Sequence, residues 1–141
     1  MGARRTARER ALQALYELDV QATVSASDAL EQAWVASDDE GPRDESAHTF
    51  ALELVQGVRK ELEVLDGLIE THSTNWRVDR MSRIDRNVLR LGVYELKYRP
   101  DIPRKVTLNE AVELGKKFGS EDSSAFINGL LDKVAQGLGK P

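Results

Sequence analysis

The 141-residue chain contains no cysteine. Disulfides, thiolate nucleophiles and cysteine-ligated metals are therefore excluded. Histidine is nearly as scarce, with only His48 and His72, which argues against a multi-histidine metal centre. No apolar run approaches the roughly 20 residues needed to span a bilayer. The pair Arg4-Arg5 is not followed by an apolar segment, so no secretory or twin-arginine leader is expected and the expected location is cytoplasmic, without membrane attachment. Residues Met1 to Thr6 do fit a loose myristoylation pattern, but the arginines there have a better explanation below. Phosphate-loop, dinucleotide, zincin and nucleophile-elbow motifs are all missing. Asp44 and His48, four residues apart on one helix face, could form a carboxylate–imidazole pair; the plainer reading is a solvated helix pair. We expect no catalytic residues, no metal and no cofactor.

What is present is an ordinary globular composition, 40% apolar and 31% charged. At this length one domain can bury roughly 70% of its unfolded surface, enough for a core without staples. The net charge of −4 is unevenly spread. Residues 1–10 carry +3, residues 19–66 carry −9 and residues 76–106 carry +5. Such segregation suggests separate working surfaces, or acidic and basic helices that pair or face water.

Apolar spacing is helical almost throughout. Ala7, Ala11, Ala14, Leu15 and Leu18 predict a helix over residues 4–20. Ser27 is a candidate N-cap for a short second helix, and residues 37–42 read as a loop. A long helical pattern over 44–71 is punctuated by Gly57 and Gly67 and reads as one bent helix or as two. Ser82 with Asp85 resembles a capping box before a helix that stops ahead of Pro100. Thr107 with Glu110 resembles a second capping box. Gly119 reads as a helix stop, and Ser120 or Asp122 caps a last helix to about Gly137. The fold class is all-α: six or seven helices in two small subdomains, about 1–75 and 76–141, packed as one domain.

The first helix is the informative one. Arginines in a first turn oppose the helix dipole, so Arg4, Arg5, Arg8 and Arg10 are not there for helix stability. Arg5, Arg8, Leu12 and Tyr16 fall within about 80° on a helical wheel. A basic track ending in an aromatic ring suits single-stranded RNA, with guanidinium groups on phosphates and the ring as a stacking platform. Equally, Tyr16 could fill the core edge and the arginines form a solubilising arm.

Three stretches stand out: Arg4 to Tyr16; Ile84 to Leu96 (IDRNVLRLGVYEL); and Asn109 to Leu114 followed by Phe118 to Ser123 and Phe126 to Asp132. Together they resemble the NusB family of bacterial antitermination factors. Their order and spacing hold along the chain; residues 24–75 match loosely. The resemblance implies an all-helical protein without catalysis or cofactor. It implies binding to the boxA element of ribosomal RNA leaders, together with the ribosomal protein NusE, in an RNA polymerase complex with other Nus factors.

By position, the implied RNA-contacting residues are Arg4, Arg5 and Arg8 with Tyr16 beyond, and a second patch of Phe118, Asp122, Ser123 and Phe126. Thr6 stands where some members carry another base. A helix start near Asp122 exposes N–H groups that favour phosphate, while Asp122 itself suits a base edge or a cap. Phe126 also reads as core. The implied NusE-docking residues are Asp85, Arg86 and Leu89, while Asp85 reads equally as a member of its capping box. Trp76 reads as a hydrophobic staple or an exposed anchor, with the staple favoured.

Two alternatives stand beside this reading. One is a non-enzymatic helical adaptor that binds protein through its acidic and basic segments and has no RNA affinity of its own. The other is a small hydrolase built on Asp44 and His48. The helical RNA-binding domain of some ribosomal RNA methyltransferases is similar, but no methyltransferase domain accompanies it here. A homodimer masking the arginine arm is compatible with the sequence.

Overall fold

The computed structural model describes residues 2–37, 43–74 and 76–141. Among them are seven α-helices, one 3₁₀ turn and no strand, as the all-α expectation requires. The chain divides into two compact units, Met1–Lys60 and Glu61–Pro141.

The first unit holds α1 (Ala3–Val20), α2 (Ala26–Val35) and α3 (Glu45–Lys60), and each packs on the other two. Its interior is rich in alanine: Ala7, Ala11, Ala14, Ala29, Ala33, Ala47 and Ala51 are buried. Small side chains let helix axes approach closely, and larger ones such as Leu30, Leu54 and Val55 fill the remaining space. The α2 cap is Ser25, not Ser27: its Oγ accepts from the Asp28 N–H at 3.0 Å. Asp44 starts α3, its Oδ1 accepting from the N–H groups of Ser46 and Ala47 at 2.8 and 3.1 Å. These bonds, with the Ser46 hydroxyl first among them, hold the Asp44 carboxyl below its ordinary pKa. From the end of α3, Arg59 donates to the carbonyls of Ala22 and Val24 at 3.0 and 3.1 Å and ties down the α1–α2 link. The loop expected over 37–42 falls, beyond Ser37, outside the described residues.

The second unit holds α4 (Leu62–His72), a 3₁₀ turn (Val78–Arg80), α5 (Arg83–Tyr98), α6 (Arg104–Phe118) and α7 (Ser123–Leu138). The long pattern over 44–71 does divide, but at Glu61, while Gly57 and Gly67 sit inside helices. The boundary between units therefore lies at 60/61, ahead of the one expected near 75. Polar pairs fix α4 to this unit. Arg90 on α5 grips Asp66 on α4 through two bonds of 2.8 and 2.9 Å, and Tyr98 donates to Glu61 at 2.7 Å.

Helix α5 is central, packing on α4, α6 and α7. Ser82 caps it as expected, accepting from the Asp85 N–H at 3.1 Å. Gly92 allows α7 to lie close, because a Cβ there would stand 2.7 Å from Leu131 Cδ1. The second capping box is not formed. Pro103, with its fixed φ, caps α6 a turn earlier, and Thr107 is an interior residue whose hydroxyl donates to buried Glu95 at 2.9 Å. Gly119 does end α6, in extended rather than left-handed backbone. Its lack of a side chain matters for space, since a Cβ would lie 2.8 Å from the Gly115 carbonyl oxygen. The left-handed stop belongs to Gly139, φ +66°, after α7.

Candidate nucleic-acid interface

In the first unit, α1 begins at Ala3 with no side-chain cap and no acid in its first turn, so Arg4 and Arg5 lie on ordered helix. Both are exposed. Phe50 of α3 explains part of their order. The Arg4 guanidinium lies 4.8 Å from the Phe50 ring centroid and that of Arg8 lies 5.4 Å from it. Each such contact contributes roughly 0.5–1 kcal/mol at an exposed site and more where desolvated. Phe50 was legible in the sequence only as a core residue. Its ring is buried, yet its face anchors two cations.

The stripe drawn on the helical wheel is split by the structure. Arg8 is 4% exposed and Leu12 is core, because α1 is buried all round from Ala7 to Leu12. Arg5 and Tyr16, the latter 40% exposed, are the members that present surface, with exposed Arg4 beside them.

In the second unit, the α6–α7 turn arranges the second patch. Ser123 is buried and its Oγ accepts from the Ser120 N–H at 2.9 Å, so it shapes the turn rather than facing outward. Asp122 is exposed, stands at the N-cap of α7 and makes no side-chain cap bond. Phe118 is half-buried, with the Lys117 ammonium 5.4 Å from its ring centroid. Phe126 is also half-buried. On α5, Asp85 and Arg86 are half-buried, whereas Leu89 has no exposed surface and packs in the core.

Trp76 is not a staple. It is 53% exposed and walls a cavity of about 270 Å³, with Arg80, Met81, Ser82, Asp85, Asp122 and Phe126 around it. The cavity brings Asp85 beside Asp122 and Phe126, which the sequence had assigned to two separate surfaces. Interleaving of Trp76 with Arg77, Arg80 and Arg83 was the signal in the sequence that could have marked it.

The proposed hydrolase pair is not assembled. Asp44 Oδ1 is engaged by the α3 N-terminus, and His48 Nε2 instead faces Glu31 at 3.9 Å, its ring beside Trp34 at 5.5 Å. Among the described residues, no group of three or more His, Asp or Glu could hold a metal, and no helix is long and apolar enough to cross a membrane.

A model of the NusB family matches residues 5–136. The chain belongs to the NusB family. Relatives named transcription antitermination protein NusB include that of Myxococcus xanthus, 67% identical over 141 residues and covering all of both chains. That of Anaeromyxobacter dehalogenans strain 2CP-1 is 55% identical over 139 residues, covering 98% of this chain and 94% of the relative. Among solved structures, T. maritima NusB matches with a TM-score of 0.84 at 34% identity, covering 94% of this chain and 90% of that one. A chain from the complex of antitermination factors NusB and NusE with dsRNA matches with a TM-score of 0.84 at 27% identity, covering 96% and 97%. The NusB fold is thus shared along nearly the whole chain.

Proposed function

We propose that this NusB-family protein is an RNA-binding transcription antitermination factor. In this reading it takes boxA-type single-stranded RNA of ribosomal leaders together with NusE, within the cytoplasmic RNA polymerase complex and alongside other Nus factors. The observation that carries the reading is the ordered arginine start of α1, with Arg4 and Arg8 set on the Phe50 ring, in a chain that shares its fold with a NusB crystallised with NusE and RNA. Arg4 and Arg5 engage phosphates, Arg8 works through its place on Phe50, and Tyr16 extends the track. Phe118, Asp122 and Phe126 form a second RNA-facing patch whose turn is held by Ser123. Asp85 and Arg86 face NusE, and buried Leu89 holds α5 in place for them. The protein acts without catalysis or cofactor, and a homodimer would compete with RNA for the arginine arm.

The test is a salt titration of binding to a boxA RNA and a scrambled control, with and without NusE. Preference for boxA, tightening by NusE and a linear fall of log K with log salt support the reading. Binding of NusE with no binding of either RNA would make the chain a protein adaptor.

A further inference from the structure

Arg4 and Arg8 are a like-charged pair one turn apart in the first half of α1, and such a pair disfavours the helix that carries it. The structure sets both on one ring. Their guanidinium carbons lie 4.8 and 5.4 Å from the Phe50 centroid. Phe50 is 6% exposed, and Ala47 and Ala51 beside it on α3 are buried, so the ring is a fixed platform. Arg4 is exposed and faces solvent from that platform.

A ring acts on arginines differently from a carboxylate. A carboxylate orders them by taking their N–H donors and cancelling their charge. An aromatic face attracts a guanidinium through its quadrupole and does neither. The arginines are ordered and keep their charge available, which is the state that a phosphate needs. Ordering them in advance also lowers the cost of binding. A basic arm that orders only on RNA binds in proportion to the fraction of chains already in the competent form. Two contacts at one ring raise that fraction before RNA arrives. A leucine would pack this position about as well; what a ring adds is its negative face.

We infer that Phe50 is a positioning residue for RNA. Its ring holds the start of α1 in the form that meets phosphates, so RNA affinity depends on the electrons of a buried ring as well as on the charge of the arginines. The inference rests on the RNA-binding reading above and extends that site to a residue of α3. Arg4 is the group that reaches phosphate, and Arg8, 4% exposed, is the second cation that the ring holds.

The test titrates the chain at low salt with a fluorescein-labelled boxA-type single-stranded RNA, read by anisotropy. Phe50→Leu should weaken binding about fivefold, as the competent fraction falls with the loss of both cation–π contacts. Mono-, di- and trifluorophenylalanine in place of Phe50 keep the shape of the ring while draining its negative face. Binding should weaken along that series in graded steps towards the leucine value. In a chain carrying Arg4→Gln and Arg8→Gln, which still has Arg5, Phe50→Leu should have no further effect. Circular dichroism checks helix content, and hydrogen exchange should place the loosening caused by Phe50→Leu in the first turn of α1. Should Phe50→Leu fail to fold, the fluorinated series carries the test by itself. Fluorinated chains that all bind like the native one would overturn the inference and leave Phe50 as core, with RNA binding by the arginines standing. An equal loss from Phe50→Leu with and without the two arginines would overturn it in the same way. No binding of RNA by the native chain would overturn the inference together with the RNA reading.

Discussion

The two units of this small protein are held together by different means. In Met1–Lys60 the interior is a seam of alanines between three helices; its buried charges, Arg8, Glu9 and Arg10, all lie in the first half of α1, and the other polar side chains work mainly at helix ends and links, as Ser25, Asp44 and Arg59 do. In Glu61–Pro141 polar pairs lie inside. Arg90 is 8% exposed and clamps Asp66 while donating to Asn87 at 3.1 Å. Glu95 accepts from Thr107 in the core. Away from the charged start of α1, the first unit is specified by the size of its side chains, the second by the identity of its partners.

Breaking the polar unit should produce the largest loss. Asp66→Ala leaves the buried Arg90 guanidinium without its bidentate partner, at a cost of about 3 kcal/mol. Denaturant unfolding should show the loss, and hydrogen exchange should place it in α4 and α5. Next comes the alanine seam. Ala11→Leu should cost about 2 kcal/mol by overpacking, with faster exchange in α1 and α3. If Ala11→Leu were neutral and Asp66→Ala equally so, the contrast between the units would collapse.

A smaller effect is expected at Thr107. Thr107→Val keeps the shape but removes the donor to Glu95, costing about 1–2 kcal/mol in the same unfolding assay. Least is expected from Tyr98→Phe, which sharpens the contrast through pH. The Glu61 hydrogen bond, with burial second, pushes the Tyr98 hydroxyl up to about 12. The unfolded chain releases that proton near pH 10, so the folded state holds it longer. The stabilisation is full below pH 10 and is lost as pH rises towards 12. The stability difference between the native chain and Tyr98→Phe should shrink across that interval, and a constant difference would remove Tyr98 from the polar set. On the binding side, Arg5→Ala should reduce the salt slope by about one, whereas Tyr16→Ala should weaken binding at unchanged slope.

The same contrast explains what could be read in advance. The helices of the first unit follow from apolar spacing, because Ala7, Ala11 and Ala14 announce a face by their period alone. The α5 cap at Ser82 and the stop before Pro100 are equally local. What was missed depends on residues far apart in sequence. Nothing around Thr107 reveals Glu95, 12 residues away, and so a core donor looked like a helix cap. Nothing near Phe50 says that arginines more than 40 residues earlier rest on its ring. Leu89 was assigned to a partner surface because a family motif carries position but not burial. The cavity has the same origin: Trp76, Asp85 and Phe126 belong to separate stretches that only the second unit's packing brings together.

The alanine seam has a consequence for how such a chain can change over generations. A methyl group is already nearly the smallest side chain, and replacing it with a larger one forces the helices apart. Drift within the first unit is therefore steered outward, to the solvent faces of α2 and α3. Those faces can gain, lose or trade charges while the scaffold beneath stays still. A surface that varies over an interior that does not is well suited to acquiring new partners without renegotiating the fold.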